Sequence, residues 1–477
     1  MIFSNLFNAI YDSPIHLVHD LQAGMDIRHE INNGPGREFD PLYPPRSTAD
    51  EGDRPRSYND IPGITQLALY AEDELTGHLW RDFSFQMGLR YDMFGFDFSG
   101  FKSDFGSYFN PRLNFVYYLT SSTQFRMGYG RNAKIPPMSM VYPNYIYFDV
   151  VDSMYFDTTN PENRLAIVNT QIFDPTNKNL KAMTRSKYET SVDQRVGPVG
   201  FSVTGFYERM HDGFDLSAYY PVSLVKYSRP DWPNPTPAVP RDTVLLNYNG
   251  AINSVESLSK GIELAVTTKQ IESINTTIRI DAAYHFSKSW WQNNHYEYGG
   301  LRTVPGFNDQ IVPFWNLTGS QSEDLIIHYR FDTIFKPLRL WFTINIQQVA
   351  VEKDRYTGLS DSLAVGYISV DGKRNFIPDD ERDSEKYSTI RRVASDYMYT
   401  TESLPNLWLI NLRVSKELWK GSEVSFFVNN MFNSRPLYRR TRVPSGSLSY
   451  IQRNPEIFYG VEFSTVIDEF VNYIKRF

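Results

Sequence analysis

Two clusters of aromatic residues are the side chains best suited to binding a ligand. The first contains Tyr142, Tyr145, Tyr147 and Tyr155, and the second is Trp290–Trp291. Aromatic faces stack on sugars, catechols and large planar rings. We therefore predict that these residues contact a small-molecule or oligosaccharide ligand. The alternative is that the rings pack only against their own loops.

Acidic and histidine residues do not form a recognisable metal site. The carboxylates of Asp371 and Asp379–Asp383 offer the oxygen ligands that Ca²⁺ prefers, but their spacing departs from that of an EF-hand. We interpret this stretch as a solvated charged loop. His16 and His19 would lie on opposite faces of a strand, and the sequence contains no Cys. The prediction is therefore no metal and no cofactor.

The sequence also lacks the motifs of common enzyme classes. It contains no G-x-S-x-G elbow, no P-loop and no H-E-x-x-H pair, so we predict that the chain is not an enzyme. Its net charge is −7. Since no basic stripe accompanies that charge, no nucleic-acid partner is expected.

The elements that must position these residues are predicted from an alternation of apolar and polar side chains. From Phe83 to Met93, for example, apolar residues occupy every second position and polar or small residues the rest. This period of two is typical of strands with two different faces. Fourteen strands are predicted near residues 17–30, 61–76, 81–97, 108–119, 123–131, 187–196, 199–211, 259–270, 275–289, 324–335, 338–350, 405–418, 423–433 and 457–467.

The connections between these strands alternate between short and long. Short ones, such as 197–198 and 420–422, contain Gly, Pro or Ser, which suit tight hairpins. Bacterial outer-membrane barrels have short periplasmic turns and long extracellular loops. The sequence therefore predicts an all-β fold, a transmembrane antiparallel β-barrel in the cell outer membrane. The long connections are 31–60, 98–107, 132–186, 212–258, 290–323, 351–404 and 434–456.

The two strand faces are predicted to meet different surroundings. The apolar faces would contact outer-membrane lipid, and the polar faces would line a water-filled lumen. A soluble β-sandwich or propeller would alternate as well, but charged residues in nearly every strand favour the barrel. The predicted lumen-facing residues are Arg90, Arg126, Glu189, Glu263, Arg279, Asp281 and Arg413.

Several short segments, taken in their order along the chain, resemble the barrel of TonB-dependent receptors. They include Gly88-Leu89-Arg90-Tyr91-Asp92, Lys260-Gly261-Ile262-Glu263-Leu264 and Val428-Asn429-Asn430-Met431-Phe432-Asn433. The chain departs from the family where Asn179-Leu180-Lys181 is followed by Ala182-Met183 instead of Pro-Glu.

The resemblance implies an outer-membrane receptor that takes up a scarce nutrient with energy from the TonB complex. The ligand would be a siderophore, haem, cobalamin, an oligosaccharide or a peptide. The family barrel has about 22 strands around a plug domain, so residues 1–467 are expected to form its C-terminal part. A signal peptide, the plug and the TonB-contacting segment are then expected to be encoded upstream. Residues 468–477 would be a C-terminal tail or an extension of the last strand.

Two other classes of function stay open. One is a self-contained fourteen-stranded passive outer-membrane channel for hydrophobic compounds, which would carry a signal peptide directly upstream. The other is a soluble glycan-binding β-protein, which would not require detergent.

Overall fold

A computed structural model describes most of the chain. The last ten residues, 468–477, and His16 lie outside the described part. The described residues are 2–12, 17–37, 54–100, 102–155, 158–160, 162–163, 165–229, 237–296, 302–303, 310–316, 318–358, 362–392, 395–444 and 446–467.

One antiparallel sheet dominates the fold. Each long strand pairs with the strand that precedes it and the strand that follows it in this sheet, which confirms the all-β prediction. The long strands are β1 (Ile2–Asp12), β2 (Val18–Glu30), β3 (Ile64–Leu79), β4 (Arg81–Phe94), β5 (Ser107–Thr120), β6 (Thr123–Lys134), β7 (Met183–Val196), β8 (Val199–Ser228), β9 (Val239–Thr268), β10 (Thr276–Trp291), β11 (Gly319–Phe335), β12 (Leu340–Thr357), β13 (Leu407–Trp419), β14 (Ser422–Asn429) and β15 (Phe458–Thr465).

The fourteen predicted strands correspond to β2–β15. The strand β1 was not predicted from the sequence, and it pairs with β2 along its whole length. In β1 both faces carry apolar side chains, because Phe7 and Tyr11 lie on one face and Leu6 and Ile10 on the other. A search for alternation does not detect such a strand.

The register of the sheet separates a polar face from an apolar face. Directly paired residues of an antiparallel sheet point to the same side, so each face can be followed from strand to strand. Arg126, for example, lies opposite Ser191, and Ser191 lies opposite Thr204. On the other side, Tyr129 lies opposite Tyr188, which lies opposite Tyr207.

The long connections are folded rather than irregular. The prediction that residues 212–258 form a loop is wrong, because β8 and β9 continue through this region as a paired hairpin. The described residues of 31–60 contain only the isolated bridge between Arg37 and Arg56. The remaining long connections contain short strands, at Phe96–Asp97, Lys102–Ser103, Ile146–Tyr155, Leu165–Phe173, His295–Tyr296, Arg302–Thr303, Gln310–Trp315, Gly366–Ile368, Arg374–Phe376, Glu402–Ser403, Leu437–Arg439 and Tyr450–Gln452.

Helical structure is limited to a few short segments. They are the α-helix Met138–Val141 and the 3₁₀ helices Lys336–Leu338, Glu385–Ile390 and Asp396–Met398. None of the helices in the described ranges is long and apolar enough to cross a membrane.

The far ends of β8 and β9 form the centre of a structure that we call the cap. It consists of residues 212–258 together with the segment 362–390 and the short strands Ile146–Tyr155, Leu165–Phe173, His295–Tyr296, Arg302–Thr303 and Gln310–Trp315. One face of the hairpin packs Leu224 against the buried residues Ile146 and Phe148. The other face packs Tyr219 and Leu245 with buried residues of the other loops. The hairpin is therefore apolar on both faces, and the long connections cover it.

Candidate ligand-binding site

A cavity of about 800 Å³ lies at the cap end of the sheet. It is formed by the β2–β3 connection, the segment around the helix Met138–Val141 and the hairpin of β8 and β9. A cavity of this volume is large enough for a drug-sized ligand. Its lining includes Asn32, Arg37, Arg56, Tyr58, Met138, Tyr142, Asn144, Asn247, Tyr248 and Asn249.

The two arginines of this cavity are held side by side. Arg37 and Arg56 exchange backbone hydrogen bonds of 2.8 and 3.0 Å. Gly36 permits this pairing, because it has a positive φ of 97° and a Cβ at this position would lie 1.9 Å from the Arg56 carbonyl oxygen. The described lining residues include no Asp or Glu, so the cavity favours an anionic ligand.

The Arg56 side chain is fixed by the segment that follows the short helix. Its Nη2 donates a hydrogen bond of 2.7 Å to the Tyr142 carbonyl oxygen, and its Nη1 donates to Asn144 Oδ1. The guanidinium is thus oriented before any ligand arrives. Such preorganisation lowers the entropy lost on binding.

Two tyrosines supply neutral hydroxyl groups to the cavity wall. Burial raises the pKa of Tyr142, and the Asp104 carboxylate raises it further. Burial also raises the pKa of Tyr248, whose ring stacks on that of Tyr220 with centroids 5.0 Å apart. Both groups therefore stay protonated at neutral pH and can donate to a ligand oxygen.

The predicted aromatic cluster is only partly gathered at this cavity. Tyr142 lines it. Tyr147 lies in the adjacent strand, with the Arg54 guanidinium 4.8 Å from its ring centroid. Tyr145 is 55% exposed. The Tyr155 backbone pairs with Leu165, whereas its side chain lies outside the described part.

Trp290 and Trp291 lie elsewhere, at the end of β10. Trp290 is on the apolar face of the sheet, where the side chains of Arg209 and Lys288 each lie 5.6 Å from its ring centroid. The Trp291 backbone N–H donates to the Thr318 carbonyl oxygen at 3.1 Å. Neither residue lines the cavity with Tyr142. Their role as ligand contacts stays a prediction.

The seven residues predicted to face the lumen share the polar face. Three of them bridge strands: Arg90 binds Asp26 at 2.6 Å, Arg126 binds Asp193 at 2.7 Å, and Arg413 binds Glu462 at 3.0 Å. Two of the remaining contacts lie within one strand: Arg279 binds Asp281 at 2.7 Å, and Glu189 accepts a hydrogen bond from Lys187 at 2.7 Å. Glu263 lies opposite Thr204 of the adjacent strand.

The acidic stretch in the cap carries its own countercharges. Hydrogen bonds from Lys373 and Ser369 lower the pKa of Asp371 to about 2. Asp379 pairs with Arg382 at 2.6 Å, and Asp383 pairs with Arg391. Among the described residues, no group of three or more His, Asp or Glu side chains is arranged to hold a metal ion.

Arg37, Arg56 and Tyr58 were not predicted as site residues from the sequence. They lie in a connection without periodicity, and Arg56 meets Tyr142 from 86 positions away. The available signal was the arginine content of this connection, because four arginines (Arg37, Arg46, Arg54 and Arg56) lie in a loop otherwise rich in Gly, Pro and Asp.

Comparison with known proteins identifies a family and a fold. The family model described as "TonB dependent receptor-like, beta-barrel" matches residues 3–431. The siderophore receptor PirA from Acinetobacter baumannii gives a TM-score of 0.54 at 13% identity, over 98% of this chain and 54% of that chain. A mutant of the ferric enterobactin receptor PfeA from Pseudomonas aeruginosa gives 0.53 at 13%, over 97% and 54%. The chain thus spans about half the length of these structures. No curated protein matches its sequence.

Proposed function

Because the chain belongs to the β-barrel family of TonB-dependent receptors, we propose that it serves in the uptake of an anionic metal chelate of the ferric siderophore class. The observation that carries this proposal is the cap-end cavity, which holds Arg37, Arg56 and three tyrosines and whose described lining has no carboxylate. Ferric catecholates combine negative charge with aromatic rings, and both properties match this lining.

The proposed path uses the two faces of the sheet differently. The apolar face contacts outer-membrane lipid, and the polar face lines the lumen. A ligand captured at the cap end would pass along the polar face once a plug domain moves. Energy for that movement would come from the TonB complex, as the family relationship implies. The family consists of receptors and transporters, so no chemical conversion of the ligand is proposed.

Two of the similar structures are of receptors for the same ligand class. PirA is a siderophore receptor, and the PfeA mutant was solved with enterobactin. At 13% identity, similarity to these structures indicates a shared fold but not a shared ligand. The lining of the cavity therefore supports the ligand class independently of them.

A substitution at Arg56 tests the proposal. In the receptor expressed from its own gene, Arg56→Gln should weaken binding of ferric enterobactin at least ~10-fold, because it removes a charge-assisted hydrogen bond. The measurement is quenching of tryptophan fluorescence in detergent. Arg54→Gln is the matched control, because Arg54 pairs with Asp149 outside the cavity and should change affinity less than ~2-fold.

Two results would contradict the proposed ligand class. One is equal affinity of the parent protein and the Arg56→Gln variant for the ferric chelate. The other is binding of cyanocobalamin, which has no net charge, as tightly as the ferric chelate. Energy coupling is tested separately, because uptake of radioactive iron as the chelate should disappear in a strain that lacks TonB.

A further inference from the structure

Four cations cluster on the apolar face of the sheet. Arg131 lies opposite Ser186, and Ser186 lies opposite Arg209. Arg209 lies opposite Leu258, and Leu258 lies opposite Lys288. Lys260 lies opposite Tyr207 on the same side. We call Arg131, Arg209, Lys260 and Lys288 the basic patch. Charged side chains are rare on a lipid-facing surface unless they reach the interface.

The height of the basic patch matches the edge of a bilayer. A strand needs about 9–11 residues to cross the hydrocarbon core. Arg131 is the ninth residue of β6 counted from the short connection at Thr123, and Arg209 is the eleventh of β8 counted from Val199. Lys260 is the ninth residue counted back from Thr268. These three cations therefore lie at the level of the lipid headgroups on the cap side, and Lys288, the thirteenth residue of β10 counted from Thr276, lies just beyond that level.

An apolar groove of about 830 Å³ opens directly below the patch. The floor of the groove is formed by Thr190, which has a small side chain, and by Gly205, which has none. Its walls include the side chains of Tyr188, Tyr207 and Ile262. A Cβ built on Gly205 would find its nearest neighbour, Thr190 Cγ2, only at 4.0 Å. The space above Gly205 is therefore open. Lys260 also borders the groove, so the groove leads to the patch.

The neighbours of the basic patch do not cancel its positive charge. The Trp290 ring lies between Arg209 and Lys288, with both cations 5.6 Å from its centroid. Interfacial tryptophan is typical of the headgroup region. Two carboxylates lie on this face nearby. Glu256 is buried against His211 at 2.7 Å and lies 3.7 Å from Arg209, and Glu323 accepts a hydrogen bond from Gln321.

We propose that this surface is a docking site for a phosphorylated lipid of the outer leaflet, with an acyl chain in the groove and the phosphate on the basic patch. Charge complementarity selects this occupant, because an apolar chain attached to an anionic phosphate matches a groove that ends at four cations. The inference rests on the outer-membrane placement in the proposed function, but not on the identity of the transported ligand.

The test measures lipid binding by the receptor purified in detergent. The probes are phosphatidylglycerol, phosphatidylcholine and inorganic phosphate, and bound lipid is counted by native mass spectrometry. The parent protein should bind phosphatidylglycerol saturably and in preference to phosphatidylcholine. Combining Arg131→Gln, Arg209→Gln, Lys260→Gln and Lys288→Gln should weaken this binding at least ~50-fold, since each basic residue near an anionic lipid contributes on the order of fivefold.

Two further variants separate the site from general charge effects. Gly205→Leu should fill the groove and weaken phosphatidylglycerol binding at least ~5-fold without affecting the patch. Lys353→Gln with Arg355→Gln removes two cations on the same face that lie two strands along the sheet from Lys288, beyond Gln321 and Glu323, and it should leave binding within ~2-fold of the parent protein.

The possible results distinguish this inference from the proposed function. Unchanged phosphatidylglycerol binding in the fourfold variant, or equal binding of both lipids by the parent protein, overturns the docking site. Binding of inorganic phosphate alone with the same affinity also overturns it, because the groove would then contribute nothing. The fourfold variant should still bind the ferric chelate, which shows that it is folded. If the parent protein binds phosphatidylglycerol but does not bind the ferric chelate, the proposed function is refuted and the docking site is not.

Discussion

Single residues at the edge of the cap hold the last long connection in place. The Glu402 side chain is only 3% exposed. It accepts hydrogen bonds of 3.3 and 3.2 Å from Arg440 and forms an ion pair of 3.5 Å with Arg442. Arg442 also pairs with Asp354 on β12. One buried carboxylate therefore joins the connection after β14 to the neighbouring strand.

Removing this charge should release the connection. Glu402→Gln leaves two guanidinium groups facing a neutral amide, and breaking a buried ion pair is strongly destabilising. Because the Arg440 side chain is 43% exposed, solvent screening limits the expected local loss to about 2 kcal/mol. Hydrogen exchange of residues 437–452 should accelerate by more than ~10-fold.

Glu456→Gln provides the control. Glu456 pairs with Arg435 but its side chain is 75% exposed, so its removal should change exchange by less than ~3-fold. Equal exchange in the two variants would mean that Glu402 does not fasten this connection.

At the scale of elements, the hairpin of β8 and β9 needs its covering loops. Tyr219 and Leu245 pack on one side, and Leu224 on the other. Burial raises the pKa of Tyr219 to about 12, with a contribution from Tyr296, so the hydroxyl of Tyr219 is neutral in this packing. A hairpin with two apolar faces would aggregate if left uncovered.

Truncating one core residue of the cap should loosen it without unfolding the sheet. Leu245 is 4% exposed, and a large-to-small substitution at such a site costs about 2–5 kcal/mol. Leu245→Ala should speed hydrogen exchange in residues 212–258 and leave β10–β15 unchanged. Val225→Ala, at a residue that is 41% exposed, should have little effect. Equal acceleration throughout the sheet would show that the cap is not an independent cooperative unit.

The sequence predicted elements wherever one face was apolar and the other polar. That condition holds for β2–β7 and for the parts of the later strands that lie nearer the short connections. It fails in β1 and in the distal hairpin, where both faces carry apolar residues. In the hairpin, register shifts between Met210 and Gly213 and between Asp215 and Ala218 break the period as well.

The candidate site was less predictable than the strands. Tyr142 was identified because aromatic residues cluster around it in the sequence. Arg56 reaches the same cavity only through the folding of two distant loops, and single-sequence periodicity does not encode such a contact.

The number of strands constrains the whole molecule. Fourteen strands would allow β2 and β15 to close a barrel as antiparallel neighbours, which the passive-channel alternative requires. Within the described residues the sheet has fifteen long strands in sequence order, from β1 to β15. Strands one and fifteen of such a meander run in the same direction, so direct closure would create a parallel pair. Bacterial outer-membrane barrels have an even number of antiparallel strands. We therefore expect an odd number of further strands between β15 and β1, as in a barrel of about 22.

Cross-linking can test this expectation, because the sequence contains no Cys and introduced thiols would have no competitors in this chain. In the receptor made from its own gene, Phe7→Cys on β1 and Val461→Cys on β15 should not be joined by a short bifunctional maleimide. Ala23→Cys with Ala71→Cys is the positive control, since these residues face each other across β2 and β3. Efficient joining of β1 to β15 would mean that the fifteen strands close on themselves, leaving a lumen too narrow for the plug of a 22-stranded receptor.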